Sequence, residues 1–297
     1  LEGQVGSTAA TERASIFAEV DPNQKERIIL SLRRAGHVVG YLGDGINDAP
    51  ALHAAHVGIS VDTAVDVAKE AAQIVLLQNN LSVLIEGVRQ GRATLENTLK
   101  YIHITASANF GNMLSMALAG MFLPFLPLLP KQILLNNLLS DLPAMTVGGD
   151  RVDAAQLATA RRWDAREIRR FMMIFGTISS LFDIATFSLL RLLQTSAALF
   201  QSSWFVESLL TEVVILLVMR TRGPLWRSQP SLPLLLSVLG VSAAAIALPY
   251  LPGAGALGLV PIPASLLGLL LAITLAYALV SEVFQRRFFA AHAATAT

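Results

Sequence analysis

The sequence contains no cysteine and few charged residues. Of its 297 residues 14% are charged and 54% are hydrophobic, with 22 basic against 21 acidic side chains. The absence of cysteine excludes disulfides and thiolate metal sites. The net charge of +1 argues against nucleic acid as a partner, because nucleic-acid binding requires a basic surface. Since a soluble domain carries about 25% charged residues, the composition indicates a membrane protein.

Residues 1–80 have the composition of part of a soluble α/β domain. Short apolar runs at 37–42, 57–61 and 73–77 are typical of buried strands. Helical patterns precede the first run and separate the others, and this alternation indicates a mostly parallel sheet. Residues 81–100 repeat apolar side chains at helical spacing without proline. We therefore predict a stalk helix that continues unbroken into a membrane span.

From residue 101 the chain consists of long apolar runs. About 20 apolar residues are needed to cross the hydrocarbon core, and six runs predict an all-α transmembrane bundle over 101–290. Arginines follow the second, fourth and sixth runs. Because basic residues stay on the cytoplasmic side, we expect a multi-pass protein with both ends cytoplasmic. The predicted spans are 101–123, 131–147, 168–193, 203–219, 231–251 and 260–283.

The string Gly43-Asp44-Gly45-Ile46-Asn47-Asp48-Ala49-Pro50 directly follows the first predicted strand. Ligands of α/β sheets bind at the carboxyl ends of strands, and two close carboxylates, Asp44 and Asp48, suit Mg²⁺. Asn47 adds an amide donor, and the N–H groups at a helix N-terminus favour an anion. The ordinary alternative is an acidic turn that caps a helix. We expect a magnesium-assisted phosphate site.

Polar side chains recur inside the first two predicted spans. Asn109 and Asn112 share one helical face, and Asn137, Ser140 and Asp141 share another. Polar groups in hydrocarbon are expensive and mark ion pathways, and a cage of oxygens with one carboxylate suits a hard cation. The alternative is that these groups only join the helices by hydrogen bonds. We expect a cation site.

Three acids lie in later spans, at Asp183, Glu207 and Glu212. Asp183 is isolated along the sequence, and the two glutamates point in different directions around their helix. We expect them to pair within the bundle. A proton path or additional cation ligands are the alternative.

These strings resemble those of P-type ATPases. GDGINDAP looks like the hinge motif of their haloacid-dehalogenase-like phosphorylation domain. Asp21-Pro22-Asn23-Gln24-Lys25 resembles their proline-x-x-lysine motif, although the family usually has Thr or Ser before the proline. The resemblance implies that Lys25 binds phosphate, that Asp44 and Asp48 hold Mg²⁺, and that Asn47 touches a phosphoryl oxygen.

The membrane residues are similar to the cation-binding spans of the same family. Calcium pumps carry Glu at the position of Asn112, whereas the bacterial magnesium-transporting type carries Asn there. The resemblance covers nearly the whole chain from about residue 15. It also rests on residues 122–127, 162–164, 170–172, 200–205 and 219–222.

The resemblance implies the C-terminal part of an ATP-driven pump that imports Mg²⁺ across the inner membrane. The Asp-Lys-Thr-Gly-Thr string, whose aspartate such pumps phosphorylate, does not occur in the sequence. ATP would act through upstream domains, and we expect this chain alone to be inactive. The alternatives are a pump for Ca²⁺ or another divalent cation, and a non-catalytic or regulatory membrane remnant.

Overall fold

The computed structural model describes residues 14–78, 80–158, 161 and 163–295. Arg162, part of one family-like string, lies outside them. The chain divides into two units, 1–89 and 90–297. The first contains helices α1 (Pro22–Arg34), α2 (Ala49–Ala54) and α3 (Asp66–Ala71), strands β1 (Gly40–Leu42), β2 (Val57–Val61) and β3 (Ile74–Leu76), and a 3₁₀ turn at Ile46–Asp48.

The three strands of the first unit form a small parallel sheet in the order β1–β2–β3. Helices α2 and α3 connect successive strands, as parallel pairing requires. Their inward side chains, among them Leu52 and Ala68, are fully buried. Strands and helices alternate as the sequence predicted, and the carboxyl end of β1 leads directly into the Gly43–Asp48 loop.

The second unit is helical. One uninterrupted helix, α4 (Leu81–Phe122), begins in the first unit and continues into the second. It is followed by α5 (Pro130–Thr146), α6 (Ala154–Leu157), α7 (Ala165–Leu192), α8 (Ala197–Met219), α9 (Leu232–Ala247) and α10 (Ala264–Thr295). Short 3₁₀ turns lie at Val147–Gly149, Leu225–Arg227, Leu248–Tyr250 and Ala254–Leu257.

In the part of the chain that the structure describes, four helices are long and apolar enough to cross a membrane: Ala165–Leu192, Ala197–Met219, Leu232–Tyr250 and Ala264–Ala290. They indicate a multi-pass membrane protein. The other two predicted spans also form helices, but α5 has 17 residues and carries several polar side chains. For α4 and α5, crossing the membrane remains a prediction.

Helix α8 lies at the centre of the bundle and packs against α5, α7, α9 and α10. Its apolar residues Trp204, Phe205 and Leu209 are almost completely buried, and so are its polar residues Ser203 and Glu207. Because protein surrounds α8, its polar groups face other helices, where such groups tend to be functional or hydrogen-bonded.

Helices α4 and α7 touch at Gly111 and Gly176. A Cβ atom on Gly176 would lie 2.5 Å from Phe110 Cδ1, 3.0 Å from the Ser107 carbonyl oxygen and 3.2 Å from the Gly111 nitrogen. The Ser180 hydroxyl donates to the Gly111 carbonyl at 3.0 Å. Small residues of this kind let two helix backbones approach closely within a membrane.

Replacement of Gly176 by alanine is expected to destabilise the bundle by about 1–3 kcal/mol, the usual cost of forcing an extra carbon into a packed interior. Unfolding in detergent, followed by tryptophan fluorescence, measures the change. Gly240→Ala is the matched control, because a Cβ there meets nothing within 4 Å. Equal stability of the two variants would contradict the close contact.

Arginines at one end of the bundle form ion pairs, among them Arg220 and Arg222. Arg220 Nε donates to Asp150 Oδ2 at 2.8 Å, and both side chains are buried. Arg222 Nη2 donates to Glu96 Oε2 at 2.7 Å. The second pair joins α4 to the segment after α8. Burial without a partner would be costly for any of these charges.

Candidate functional site

The loop after β1 is organised around Asp48. Its Oδ2 accepts hydrogen bonds from the backbone N–H of Gly45 at 3.2 Å and of Asp44 at 3.3 Å. Gly43 permits this geometry, because a Cβ there would lie 2.6 Å from the Asp48 Cβ. The loop folds back on itself, and the Asp48 carboxylate is buried at the sheet edge.

Lys25 reaches the same carboxylate from α1. Asp21 caps this helix by accepting from the Gln24 N–H at 2.8 Å, which places Lys25 in the first turn. Lys25 Nζ lies 2.8 Å from Asp48 Oδ1, and the Tyr41 hydroxyl donates to that oxygen at 2.7 Å. Burial favours the neutral acid, but the hydrogen bonds from Lys25, Tyr41 and Gly45 outweigh it and lower the pKa of Asp48.

Asp44 and Asn47 are exposed at the same edge. Asp44 lines a cavity of about 270 Å³ together with residues of β1, β2, β3 and the start of α4. Its carboxylate suits Mg²⁺, a hard cation that binds through one or two carboxylates and otherwise keeps its waters. The Asp48 oxygens already accept four hydrogen bonds. These carboxylates therefore fit a magnesium ion, for which Asp44 is the most accessible ligand. Asp48 holds Lys25 beside it.

A second site lies among the helices of the second unit. A cavity of about 210 Å³, here called the polar cavity, is lined by four of the five predicted membrane residues. Oxygen-bearing side chains and apolar residues both line it. Its lining consists of Ile104, Thr105, Ala108, Asn109, Asn137, Ser140, Asp141, Ala144, Glu212 and Leu216.

Glu212 of α8 completes this arrangement. Its Oε1 accepts a hydrogen bond from Asn112 Nδ2, and its Oε2 accepts one from Asn136 Nδ2 at 3.1 Å. The sequence predicts that Glu212 pairs within the bundle, with a proton path or a role as an additional cation ligand as the alternative. The structure places it on the wall of the polar cavity, in contact with α4 and α5.

The five predicted membrane residues are not equivalent in the structure. Asn109, Asn137 and Asp141 are exposed to the polar cavity, while Ser140 is half-buried and bonds the Asn137 carbonyl oxygen at 3.2 Å. Asn112 does not line the polar cavity and instead holds Glu212. It lines a second cavity of about 600 Å³, which shares Asn109 and Asn137 with the first.

The polar cavity is lined by two amides, Asn109 and Asn137, and by two acids, Asp141 and Glu212. Among the described residues, no cluster of three or more His, Cys, Asp or Glu side chains could hold a metal ion. A cation in the polar cavity would therefore be bound through amide, hydroxyl and water oxygens beside the two carboxylates. Such a donor set suits a hard ion that retains part of its hydration.

Comparison with known proteins agrees with this architecture. The family model described as "Cation transporting ATPase, C-terminus" matches residues 125–287. A "Magnesium-transporting ATPase, P-type 1" of Salmonella typhimurium is 46% identical over 290 residues, which are 94% of this chain and 32% of that protein. The protein of the same name from Escherichia coli K12 is 47% identical over 287 residues, covering 93% of this chain and 32% of its own length.

A "Calcium-transporting ATPase" of Bacillus subtilis is 41% identical over a shorter region, 142 residues, which are 47% of this chain and 16% of that protein. The chain spans about a third of the length of the magnesium-transporting relatives. The matches cover the helical unit and extend into the unit that carries the Gly43–Asp48 loop. The chain therefore belongs to the cation-transporting P-type ATPases and corresponds to their C-terminal portion.

Proposed function

We propose that this chain is the C-terminal part of an ATP-driven pump that moves Mg²⁺ through the inner membrane into the cytosol. The observation that carries the proposal is the polar cavity, where Asn109, Asn137 and Asp141 meet Glu212. Both chain ends lie on the cytoplasmic side in this proposal. The energy comes from an aspartyl phosphate formed by ATP on a residue outside this chain.

The first unit is proposed as the end of a haloacid-dehalogenase-like phosphorylation domain. Asp44 and Asp48 would hold Mg²⁺, which when bound offsets negative charge on the phosphoryl group. Lys25 is held by Asp48 at 2.8 Å, so its ammonium group is positioned to bind a phosphoryl oxygen. Asn47 is exposed at the same edge and can donate an amide N–H to another oxygen.

The membrane residues are proposed as the binding site of the transported ion. Asp141 supplies a carboxylate that is exposed to the polar cavity, and Asn109, Asn137 and Ser140 add neutral oxygens. Asn112 acts through Glu212, because its amide fixes the orientation of that carboxylate. A site with few carboxylates fits Mg²⁺, which gives up its waters reluctantly.

Transport of Ca²⁺ is a second candidate. The calcium-type relative matches part of this chain, and the polar cavity contains two carboxylates, Asp141 and Glu212. Ca²⁺ takes six to eight oxygen ligands in flexible geometry and favours sites with more charge. Asn112 and Asn136 already engage Glu212. Asp141 is then the exposed carboxylate of the lining, and this low charge supports Mg²⁺ over Ca²⁺.

Transport by the complete protein that contains this chain distinguishes the two ions. The protein is reconstituted into vesicles loaded with both cations and with an indicator for each, and ATP is added outside. Protein molecules whose cytosolic domains face outward can use this ATP. We expect an ATP-dependent fall in Mg²⁺ inside the vesicles and unchanged Ca²⁺. A fall in Ca²⁺ alone, or a rise in Mg²⁺, would contradict the proposal.

A further inference from the structure

Two carboxylic acids lie in the bundle outside both cavities. Asp183 of α7 is 3% exposed, and Glu207 of α8 is completely buried. Neither residue lines the polar cavity or the second cavity. The proposed cation site does not use them, and burying two acids in a helical bundle is costly unless something compensates their charge.

Asp183 is well supplied with hydrogen bonds. Its Oδ2 accepts from the Ser115 hydroxyl of α4 at 2.6 Å, and its Oδ1 accepts from Trp204 Nε1 of α8 at 2.8 Å. All three side chains are buried. Two donors, one on each oxygen, are what an ionised carboxylate requires, because it can only accept hydrogen bonds.

Glu207 is in the opposite situation. Within the described part of the chain, neither of its carboxyl oxygens accepts a hydrogen bond from a donor. Trp204 lies one helical turn before Glu207 on the same face of α8, and it bonds Asp183 at 2.8 Å. This contact brings the two acids together between α7 and α8, where they interact electrostatically. Two ionised carboxylates in contact offer acceptors only, so a hydrogen bond between them requires a proton.

Among the residues that the structure describes, no positively charged group acts on this pair. The titratable groups that act on the pair are Glu212 on the same helix and Tyr277 of α10, while α4 contributes the neutral Ser115. Like charges a few ångströms apart repel strongly where the effective dielectric constant is low. Carboxyl pairs of this kind carry one shared proton.

We propose that Asp183 and Glu207 form a proton-binding site between α7 and α8. One proton, taken from water, resides on Glu207, and the resulting O–H donates to the Asp183 carboxylate. The pair then carries one negative charge, which Ser115 and Trp204 stabilise. The site is separate from the polar cavity and depends only on contacts within this chain, so it stands independently of the transported ion.

Infrared spectroscopy of the chain in lipid vesicles tests this site directly. A protonated carboxylic acid has a carbonyl stretch that an ionised carboxylate lacks. At neutral pH the unchanged chain is expected to show this band, and Glu207→Gln is expected to remove its main component. Since glutamine supplies an N–H in place of the O–H, the variant is expected to unfold at the same temperature as the unchanged chain.

Glu282→Gln is the matched control. Glu282 of α10 is ion-paired with Arg286 and accepts from the Leu225 N–H at 3.0 Å, so it has no need of a proton. The band is expected to be intact in this variant. Absence of the band from the unchanged chain at neutral pH, or its persistence in Glu207→Gln, would overturn the proposal. If Glu207→Gln fails to fold, the same band is measured in the Asp183→Asn variant. A band in Asp183→Asn that is identical to that of the unchanged chain would also overturn the proposal.

Discussion

Lys25→Met is expected to slow phosphoenzyme turnover in the complete protein by about 100- to 1,000-fold, the usual effect of removing one preorganised donor from a developing negative charge. The ammonium group of Lys25 is fixed by Asp48 at 2.8 Å and lies at the edge where Asp44 and Asn47 are exposed. Methionine keeps most of the side-chain volume but cannot bind a phosphoryl oxygen. Labelling with radioactive ATP, followed by a chase, measures the rate.

Lys69→Met is the matched control for this experiment. Lys69 belongs to the same unit, but its contact is a 3.8 Å pair with an exposed Asp66, which contributes little. Its replacement is expected to leave turnover within about twofold of the unchanged protein, as for a surface ion pair. Comparable losses in the two variants would show that Lys25 matters only for charge or folding.

Asp141→Asn is expected to raise the Mg²⁺ concentration for half-maximal transport by about 100-fold, equivalent to about 2.7 kcal/mol. Asn112 and Asn136 already engage the Glu212 carboxylate, whereas that of Asp141 is exposed to the polar cavity. Asp141 is therefore the acid best placed to bind a cation directly. Initial rates of vesicle transport over a range of Mg²⁺ concentrations provide the measurement.

Asp66→Asn controls for the lost charge, because Asp66 is exposed in the first unit and far along the sequence from the cavity residues. It is expected to leave the concentration dependence unchanged. A lower maximal rate with an unchanged half-maximal concentration in Asp141→Asn would mean that this carboxylate does not bind the transported ion.

The strands and helices of the first unit were predictable because their apolar patterns are strong and local. The bounds differ where tertiary contacts intervene. The predicted strand at 37–42 is shortened to Gly40–Leu42, in part because the Val39 N–H bonds His56 Nδ1 at 3.1 Å. No local pattern reports such a contact.

The Gly43–Asp48 loop was recognisable from its residues, but the partner of Asp48 was not. Lys25 and Asp48 are separated by 23 positions, and their contact depends on how α1 packs against the loop. The sequence identified both residues through a family resemblance. It did not indicate that the Asp48 oxygens would be occupied by Lys25, Tyr41 and backbone N–H groups.

Glu212 shows a second kind of contact that helical spacing does not predict. Helical spacing predicts which residues share a face, and it grouped Asn109 with Asn112 and Asn137 with Asp141. It does not reveal which face of a third helix meets them. Since α8 is buried on nearly all sides, its apolar pattern has no preferred direction. No local pattern therefore indicates that Glu212 is directed toward α4 and α5.

The contact of Gly111 with Gly176 restricts how the part of α4 that carries Asn109 and Asn112 can move. The two backbones approach closely there, and the side chains of Phe110 and Ser179 already fill the remaining space, so a rotation has little room. Turning α4 about its own axis would drive Phe110 into α7. If α4 moves, we therefore expect it to tilt about this contact, which would act as a nearly fixed pivot. Asn109 and Asn112, which flank the pivot, would then shift little while the two ends of the helix swing through larger distances.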